Sequence, residues 1–328
     1  MKAVHINEFG SFDNLALRDV PDLAVPTADQ VLIRVHAAGL NRADLLQVRG
    51  TYAPPPGHSP NIPGLEFAGE VTAIGSEVSR WNIGDRVFGI TAGEAQAEFL
   101  LSDERLLSKI PGRLSFAEAA AVPEAFITAH DAIVTLGDLK PTETLLIHAV
   151  GSGVGLAALQ LAKAKGVFVV GTSRTSNKLV KCRESGLDAA ITTGDKVDFS
   201  DKVKEATNGR GVDVILDLVG AAYFQQNLAS LRTKGRLILV GLTSGTTAEF
   251  NLSIALQKRL KITGTMLRTR SIDEKAEAVA KFTDEVVPLL ESRKIRPNLD
   301  RIFPFGQVRE AYQYLASNES FGKVVLEF

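Results

Sequence analysis

Short apolar runs alternate with segments of helical period through the second half of the chain. The apolar runs have the length and β-branched content of buried strands, and they lie at 144–150, 167–171, 189–193, 212–219, 236–241 and 261–266. The segments between them predict helices that include 153–165, 176–185 and 221–231. Strands that alternate with helices predict right-handed βαβ units and a parallel, doubly wound sheet.

The first hundred residues have a different pattern, in which alternating or β-branched runs are separated by Gly and Pro. These runs predict strands at 31–39, 67–75, 85–90 and 97–110. The stretch 52–64 is too rich in Pro for a helix or a central strand. This part of the chain therefore predicts a compact β-domain with long loops.

Helical patterns begin at 115–134 and return in the C-terminal tail. Ser115 followed three residues later by Glu118 has the form of a helix capping box. The tail predicts helices at 272–293 and near 306–317, and then a final strand, "KVVLEF". We expect that strand to return to the first domain.

A chain of 328 residues exceeds the usual size of one hydrophobic core, which favours two domains. We expect an α/β protein with a β-barrel domain in 1–120, a Rossmann-type domain in 121–268 and a returning segment in 269–328.

Composition and charge exclude several classes of function. Lys plus Arg (37) nearly balances Asp plus Glu (38), so the basic excess typical of nucleic-acid binding is absent. The single Cys182 excludes an intramolecular disulfide and a cysteine-rich zinc site. The apolar run 145–162 is long enough for a membrane span, but its His, Ser and Gly residues favour a strand–turn–helix unit. With no secretory pattern at the start, we expect a cytoplasmic protein without membrane partners.

The segment "LLIHAVGSGVG" places a Gly-rich turn between a buried strand and a helix that opens near Gly153. Such a turn lets backbone N–H groups meet a pyrophosphate. The strict G-x-G-x-x-G pattern is not met, because Val150 and Ser152 stand where its first two glycines are expected. A tight turn without a ligand is the alternative.

The end of the second strand of this domain predicts the choice of cofactor. An acidic residue there binds the 2′-hydroxyl of NAD. Here the strand runs into Thr172, Ser173 and Arg174, with Lys178 following, and no Asp or Glu is present. This pattern favours NADPH over NADH. The alternative is that Arg174 and Lys178 are only a solvated helix start.

These features resemble the medium-chain dehydrogenase/reductase superfamily over essentially the whole chain, with a GroES-like β-domain and a Rossmann domain. The zinc alcohol dehydrogenases of that superfamily carry a Cys ligand where this chain has Asn41. They carry a His in Gly-His-Glu where this chain has Gly64-Leu65-Glu66. Leu cannot ligate zinc and Asn is a poor ligand, so we expect no metal.

The zinc-free branch that the chain resembles is the NADPH-dependent quinone oxidoreductase, or zeta-crystallin-like, family. The segments "NRADLLQVRGTYAPPPG", "GLEFAGEV", "AAAVPEAFITAHDAI" and "GKVVLEF" carry the match, which is closest to the stress-inducible subgroup. The resemblance implies an active-site loop with Asn41, Asp44 and Tyr52. It implies further cofactor contacts at Thr128, Ser152, Gly153, Val154, Ser173, Lys178, Gly241, Leu242, Thr243, Met266, Leu267, Arg268 and Lys323.

The chain departs from this family at three positions. Thr193 and Gln96 stand where many members have Tyr, and Arg174 where many have Gly. These departures affect cofactor affinity and pocket shape more than reaction class. The resemblance also implies a homodimer or higher homo-oligomer, paired through the strand in "KRLKITGT".

The chemistry of hydride transfer without a metal limits the classes of acceptor that can be reduced. An unactivated ketone yields a basic alkoxide that needs a Lewis acid. A quinone or an α,β-unsaturated carbonyl yields a stabilised phenolate or enolate instead. We expect Asn41 to orient the acceptor or the nicotinamide and Tyr52 to be the hydroxyl donor. Tyr52 could instead only pack, and Asp44 could cap the turn; Glu66 is expected to hold loops of the β-domain.

The favoured function is therefore NADPH-dependent reduction of quinones. Two alternatives are open: reduction of 2-alkenals or enones at the C=C bond, and a non-catalytic NADPH-binding role.

Overall fold

A computed structural model of the chain describes residues 1–194 and 197–328. The strands are β1 Lys2–Ile6, β2 Leu15–Asp19, β3 Gln30–Leu40, β4 Glu66–Ile74, β5 Arg86–Ile90, β6 Phe99–Asp103, β7 Leu107–Lys109, β8 Thr144–Ile147, β9 Phe168–Ser173, β10 Ala189–Thr192, β11 Val212–Asp217, β12 Leu231–Leu239, β13 Lys261–Gly264, β14 Leu299–Pro304 and β15 Lys323–Glu327.

The α-helices are α1 Arg42–Val48, α2 Phe116–Ala120, α3 Pro123–His130, α4 Gly153–Ala164, α5 Ser176–Glu184, α6 Ser200–Ala206, α7 Phe224–Ser230, α8 Leu252–Lys258, α9 Ile272–Glu285, α10 Val287–Glu291 and α11 Val308–Ser317. Short 3₁₀ turns lie at Phe12–Asn14, Glu104–Leu106, Ala221–Tyr223 and Phe305–Gln307, and a π-helix lies at Asp131–Leu136.

The chain divides into two compact units. Met1–Ile127 and Leu267–Phe328 form the first, here called the β-rich unit, and Thr128–Met266 form the second, the parallel-sheet unit. Residues 121–127, 267 and 268, which the sequence pattern places with the nucleotide-binding domain, lie in the β-rich unit. One reason is that the start of α3 hydrogen-bonds to β4 of that unit through Glu124 and Glu66.

The β-rich unit is built on a sheet in the order β14-β15-β3-β4-β5-β7, with β6 also paired to β3. The C-terminal strand β15 runs antiparallel to β3, where Val325 lies opposite Gly39. The helix α9 buries Ala278, Val279 and Phe282, and the Phe282 ring meets Phe88 of β5 edge-on at 5.8 Å. Buried apolar side chains therefore fix α9 and the C-terminal strand against this sheet.

The parallel-sheet unit contains a six-stranded sheet in the order β10-β9-β8-β11-β12-β13, in which every pairing is parallel. Counted within the unit, this is the order 3-2-1-4-5-6 of dinucleotide-binding folds. The predicted doubly wound sheet is confirmed. The strand order reverses between β8 and β11, and ligands of such sheets bind beyond the carboxyl ends of the strands at this point.

Several predicted elements differ in detail from the structure. The predicted strand 97–110 is interrupted by a 3₁₀ turn between β6 and β7, and Asp103 caps that turn by accepting from Arg105 N. The predicted helix 272–293 is divided at Val286, just before Pro288 in the first turn of α10. Pro lacks the N–H that a continuous helix needs. The capping box of Ser115 and Glu118 is present as predicted.

One stretch, Phe116–Leu136, is long and apolar enough to cross a membrane by length and composition. Of its most apolar window, 72% is buried within the structure. A buried core helix meets the same criteria, so this stretch is weak evidence for a span.

Candidate active site

The loop between β3 and α1 is shaped by Asp44. Its Oδ2 accepts a hydrogen bond from Asn41 N (2.7 Å), and its Oδ1 accepts one from Gly64 N (3.2 Å). The carboxyl group is fully buried, and this burial raises its pKa to about 6. Asp44 therefore caps the start of α1 and ties it to the loop before β4, and its role in the reaction stays a prediction.

The amide of Asn41 lies between two buried charged side chains. Its Nδ2 donates to Glu66 Oε1 (2.9 Å), and its Oδ1 accepts from Lys323 Nζ (2.6 Å). Lys323 also forms an ion pair with Glu66 and donates to Leu40 O (2.7 Å). All three N–H bonds of the ammonium are thus directed at protein groups.

This arrangement bears on two of the predicted roles. Lys323, expected from the family resemblance to contact the cofactor, here fixes Asn41 and Glu66. The amide of Asn41 is held in one orientation, and its Nδ2 donates to Glu66 Oε1 and, over a longer distance of 3.4 Å, to Gly39 O. Its role as a donor to the acceptor stays a prediction. Glu66 links β4 to α3 as well, because its Oε2 accepts from Glu124 N (2.8 Å).

Tyr52 is held in place by Arg268. The buried guanidinium donates to Ala92 O (2.8 Å), Tyr52 O (3.1 Å) and Gln47 Oε1 (2.5 Å). It also lies over the Tyr52 ring at 4.9 Å, a cation–π distance. Burial raises the pKa of Tyr52 above its usual value. Arg268, expected to line the cofactor, therefore positions the loop that carries Tyr52.

The Gly-rich turn of the parallel-sheet unit has the geometry that a pyrophosphate needs. The twelve-residue helix α4 begins at Gly153, and Ser152 caps it by accepting from Gly155 N (3.1 Å). A Cβ on Gly155 would lie 2.6 Å from Ala149 O, so this position admits only Gly. The helix N-terminus, with Gly153 and Val154 in its first turn, offers N–H groups to an anion.

The end of β9 carries the residues predicted to bind a 2′-phosphate. Ser173 is buried, and Arg174 is exposed directly after the strand. Within residues 1–194 and 197–328, the Arg174 guanidinium has no hydrogen bond or ion pair. Lys178 follows in the first turn of α5. An unpaired cation and a hydroxyl at this strand end suit a phosphate rather than a ribose hydroxyl.

A buried polar network joins three strand ends of the same unit. His148, after β8, bonds to Thr172 Oγ1 (2.8 Å) and Asn227 Oδ1 (2.6 Å), and Asn227 donates to Asp217 Oδ2 (2.9 Å). Asp217 Oδ1 accepts from two backbone N–H groups of the loop after β11. Burial lowers the pKa of His148, so the ring is neutral. The network fixes the loops around the nucleotide site. Apart from the apolar setting of His148, no sequence pattern predicted it.

The remaining predicted residues are divided between the units. Gly241, Leu242 and Thr243 follow β12, where Gly241 N donates to Asp217 O (3.1 Å). Thr128 is buried on α3 and Met266 is exposed after β13, both in the parallel-sheet unit. Leu267 is buried in the β-rich unit.

Two charged residues of the β-rich unit, Glu124 and Lys275, were not predicted to have a role. Glu124, in the first turn of α3, has its pKa raised to about 8 by burial and by the neighbouring charge of Glu66. Lys275 is buried on the apolar face of α9. The sequence signals available for them were an acidic residue within the Ala-rich segment 115–134 and a Lys among apolar positions of the helix predicted at 272–293.

The side chains that could ligate a metal form no metal site in the part of the chain that the structure describes. No group of three or more His, Cys, Asp or Glu side chains there is arranged to hold a metal ion. The expectation that the protein works without a metal stays a prediction.

Two family models match the chain. "Alcohol dehydrogenase GroES-like domain" matches residues 27–132, and "Zinc-binding dehydrogenase" matches residues 153–284. The first match agrees with the predicted β-domain, and the second covers most of the parallel sheet. The zinc in the second description has no matching ligands at Asn41 and Leu65.

Known proteins resemble the chain over nearly its full length. A quinone oxidoreductase from Lama guanicoe is 32% identical, with 99% of this chain and 97% of that protein covered. The structure of Escherichia coli quinone oxidoreductase complexed with NADPH superimposes with a TM-score of 0.89 at 28% identity, covering 100% of both chains. The structure of CurK enoyl reductase superimposes with a TM-score of 0.88 at 27% identity, covering 99% of this chain and 98% of that one.

Proposed function

Because the chain belongs to the quinone oxidoreductase family of the medium-chain dehydrogenases/reductases, we propose that it reduces quinones with NADPH and without zinc. The acceptor is a small conjugated molecule, and the reaction is a hydride transfer. Reduction of this kind converts the quinone to a hydroquinone after one proton is added.

The residues of the parallel-sheet unit fit NADPH. The N–H groups of Gly153 and Val154 at the start of α4 would bind the pyrophosphate. Ser173, Arg174 and Lys178 would bind the 2′-phosphate, with the exposed guanidinium of Arg174 supplying the charge. When bound, the cofactor supplies the hydride, and the protein contributes binding and orientation.

The observation that carries the choice of acceptor is the Asn41–Glu66–Lys323 cluster. Metal-using relatives place a zinc ligand at the position of Asn41. Here the amide and the neighbouring carboxylate are both bonded to a buried ammonium. Without a Lewis acid at this position, the site suits acceptors whose reduced form is a resonance-stabilised anion, which quinones and enones provide.

The test is NADPH oxidation measured against a panel of acceptors. We expect turnover with 1,2- and 1,4-naphthoquinone, weaker turnover with NADH in place of NADPH, and none with a simple alcohol in the reverse direction. Turnover of the alcohol would contradict the proposal. Absence of turnover with every acceptor would favour the non-catalytic NADPH-binding role.

A second candidate function is reduction of enones or 2-alkenals at the C=C bond. The similarity to CurK enoyl reductase over 99% of this chain favours it. The same site would stabilise an enolate in place of a phenolate. The ratio of kcat/KM for 1,4-naphthoquinone to that for a 2-alkenal separates the two, and a ratio well below one would favour the second function.

We further propose a cytoplasmic protein that assembles as a homodimer or higher homo-oligomer. The strand β13 is at the edge of the parallel sheet and could pair with a second copy. Light scattering in solution tests the assembly.

A further inference from the structure

Lys275 is a buried cation without a hydrogen-bonding or ion-pair partner in the described part of the chain. It lies on the apolar face of α9, with a relative exposure of 6%. Among residues 1–194 and 197–328 its ammonium has no hydrogen bond and no ion pair. The ammonium nitrogen is not completely enclosed by protein atoms, so part of it is accessible to solvent. A desolvated ammonium without a partner is costly, and such groups are kept where a ligand or a reaction uses them.

Glu124 is the acidic counterpart of Lys275. Its backbone N–H is fixed by Glu66, while its half-buried carboxyl group has no hydrogen bond or ion pair in the described part of the chain. Glu124 acts electrostatically on Lys275, and it acts in the same way on the hydroxyl of Tyr52. Glu124 is therefore within electrostatic reach of both the Lys275 ammonium and the hydroxyl that the family resemblance places in the active site.

The surroundings of this pair, and burial above all, favour a Glu124 carboxyl group that carries its proton. Burial and the Glu66 charge raise the pKa of Glu124 to about 8, and burial lowers the pKa of Lys275. The charged and titratable groups that face Glu124 are Glu66, Lys323, Asp44, Arg268, Tyr52 and Lys275. Those that face Lys275 are Glu124, Arg268 and Glu274.

Other candidate acids of the β-rich unit are less suitable. Both carboxylate oxygens of Asp44 accept backbone hydrogen bonds, and the carboxyl group is fully buried. The pKa of Tyr52 is raised, which makes its hydroxyl a weaker acid than an ordinary Tyr. Glu66 is ion-paired with Lys323. Of these four acids, Glu124 is the one whose side chain is partly accessible to solvent and whose carboxyl group has no hydrogen bond or ion pair in the described part of the chain.

We propose that Glu124 donates the proton taken up by the reduced acceptor, and that Lys275 is the positioning residue that stabilises the carboxylate left behind. This inference rests on the proposed function. After a hydride has reached the quinone, the hydroquinone monoanion takes a proton: an O–H bond forms on its oxygen and the O–H bond of Glu124 breaks. The carboxylate is then reprotonated from solvent. The sum is one quinone, one NADPH and one proton giving one hydroquinone and one NADP⁺.

The experiment is the pH dependence of kcat for NADPH oxidation with 1,4-naphthoquinone, from pH 5.5 to 10. It compares wild type with Glu124→Gln and Lys275→Met. The matched controls are Glu277→Gln and Lys281→Met. These two residues form an exposed ion pair on α9, the helix that carries Lys275. NADPH affinity and the thermal midpoint are measured for every variant, so that loss of folding or of cofactor binding is seen directly.

We expect wild-type kcat to fall as pH rises through about 8, because the protonated acid is then lost. Glu124→Gln should lower kcat about tenfold to a hundredfold and remove this limb, since general acids contribute at least this much. Lys275→Met should move the limb to higher pH, because loss of the cation makes the carboxylate less favourable. The two controls should keep the wild-type profile.

Two results would overturn the inference, and they can be told apart from failure of the proposed function. An active wild type whose basic limb persists in Glu124→Gln, or does not move in Lys275→Met, overturns this inference alone. A wild type that binds NADPH but oxidises it with no acceptor overturns the proposed function together with this inference.

Discussion

The two candidate sites of this chain use different parts of the polypeptide. The nucleotide site in the parallel-sheet unit is made largely of backbone: a Gly-rich turn, a helix N-terminus and strand ends. The site in the β-rich unit is made of buried or half-buried charged and polar side chains from five separate segments: Asn41, Glu66, Glu124, Lys275 and Lys323. We therefore expect the first to be most sensitive to backbone space at its turn, and the second to the loss of a charged partner.

The most damaging change to the backbone site is Gly155→Val. A Cβ at this position would lie 2.6 Å from Ala149 O and 2.7 Å from Val150 O, so the turn has to move. We expect NADPH affinity to fall at least about a hundredfold, measured by fluorescence titration. The control is Gly264→Ala, where an added Cβ meets nothing within 4 Å. Normal affinity in Gly155→Val would show that the turn does not bind the cofactor.

The most damaging change to the side-chain site is Lys323→Met. It leaves the carboxylate of Glu66 buried without its cation. We expect the β-rich unit to lose about 3–5 kcal/mol of stability, measured by chemical denaturation. Combining it with Glu66→Gln should recover part of the loss, because the unpaired charge is then removed. If the loss of stability in the double variant equals the sum of the losses in the two single variants, the two residues are not energetically coupled.

A change at the end of β9 tests the cofactor preference. Arg174→Asp replaces the exposed cation with an anion, and we expect the Kd for NADPH to rise about tenfold to a hundredfold, or about 1.4–2.8 kcal/mol. The Kd for NADH should change little or fall. The matched control is Arg183→Asp, at an exposed position in the last turn of α5. Equal losses for both cofactors would remove Arg174 from the 2′-phosphate site.

The last expected effect concerns stability and pH at Glu124. Its pKa rises from 4.5 in the unfolded chain to about 8 in the fold, so the folded state binds the extra proton between these values. The wild type therefore loses stability as pH rises through this window. At pH 5 the group is largely neutral in the fold, and Glu124→Gln should change little.

At pH 9 the wild type has to bury a carboxylate that the Gln variant lacks. The thermal midpoint of Glu124→Gln relative to wild type should then rise by a few degrees between pH 5 and pH 9, measured by calorimetry. A difference that does not depend on pH would contradict the raised pKa.

The difference between the two sites also explains what the sequence could predict. Strand–helix alternation and the turn around Gly153 are local patterns, and they predicted the parallel sheet and the start of α4 within a residue. Ser115 and Glu118 are three residues apart and predicted their capping box. The strand β14 was missed because its residues are mostly exposed and give little alternation. The helix α8 has no buried residues and was missed for the same reason.

The side-chain site could be predicted only in part. The resemblance implied that Asn41 and Tyr52 belong to the active site and that Lys323 contacts the cofactor, but it did not predict what their side chains contact. Glu66 lies 25 residues from Asn41, and Lys323 lies 282 residues from it. Pairings at such distances depend on the register of β15 against β3, which no local pattern contains. The roles of Asn41 and Tyr52 in the reaction stay predictions.

The central claim is that a buried ammonium, rather than a metal ion, completes the site around Asn41. The most direct measurement is the rate of NADPH oxidation with 1,4-naphthoquinone before and after exhaustive treatment with a strong chelator, with metal content determined by mass spectrometry. We expect an unchanged rate in protein that contains less than about 0.05 metal ions per chain. A rate that is lost with the metal and restored by added zinc would contradict the account.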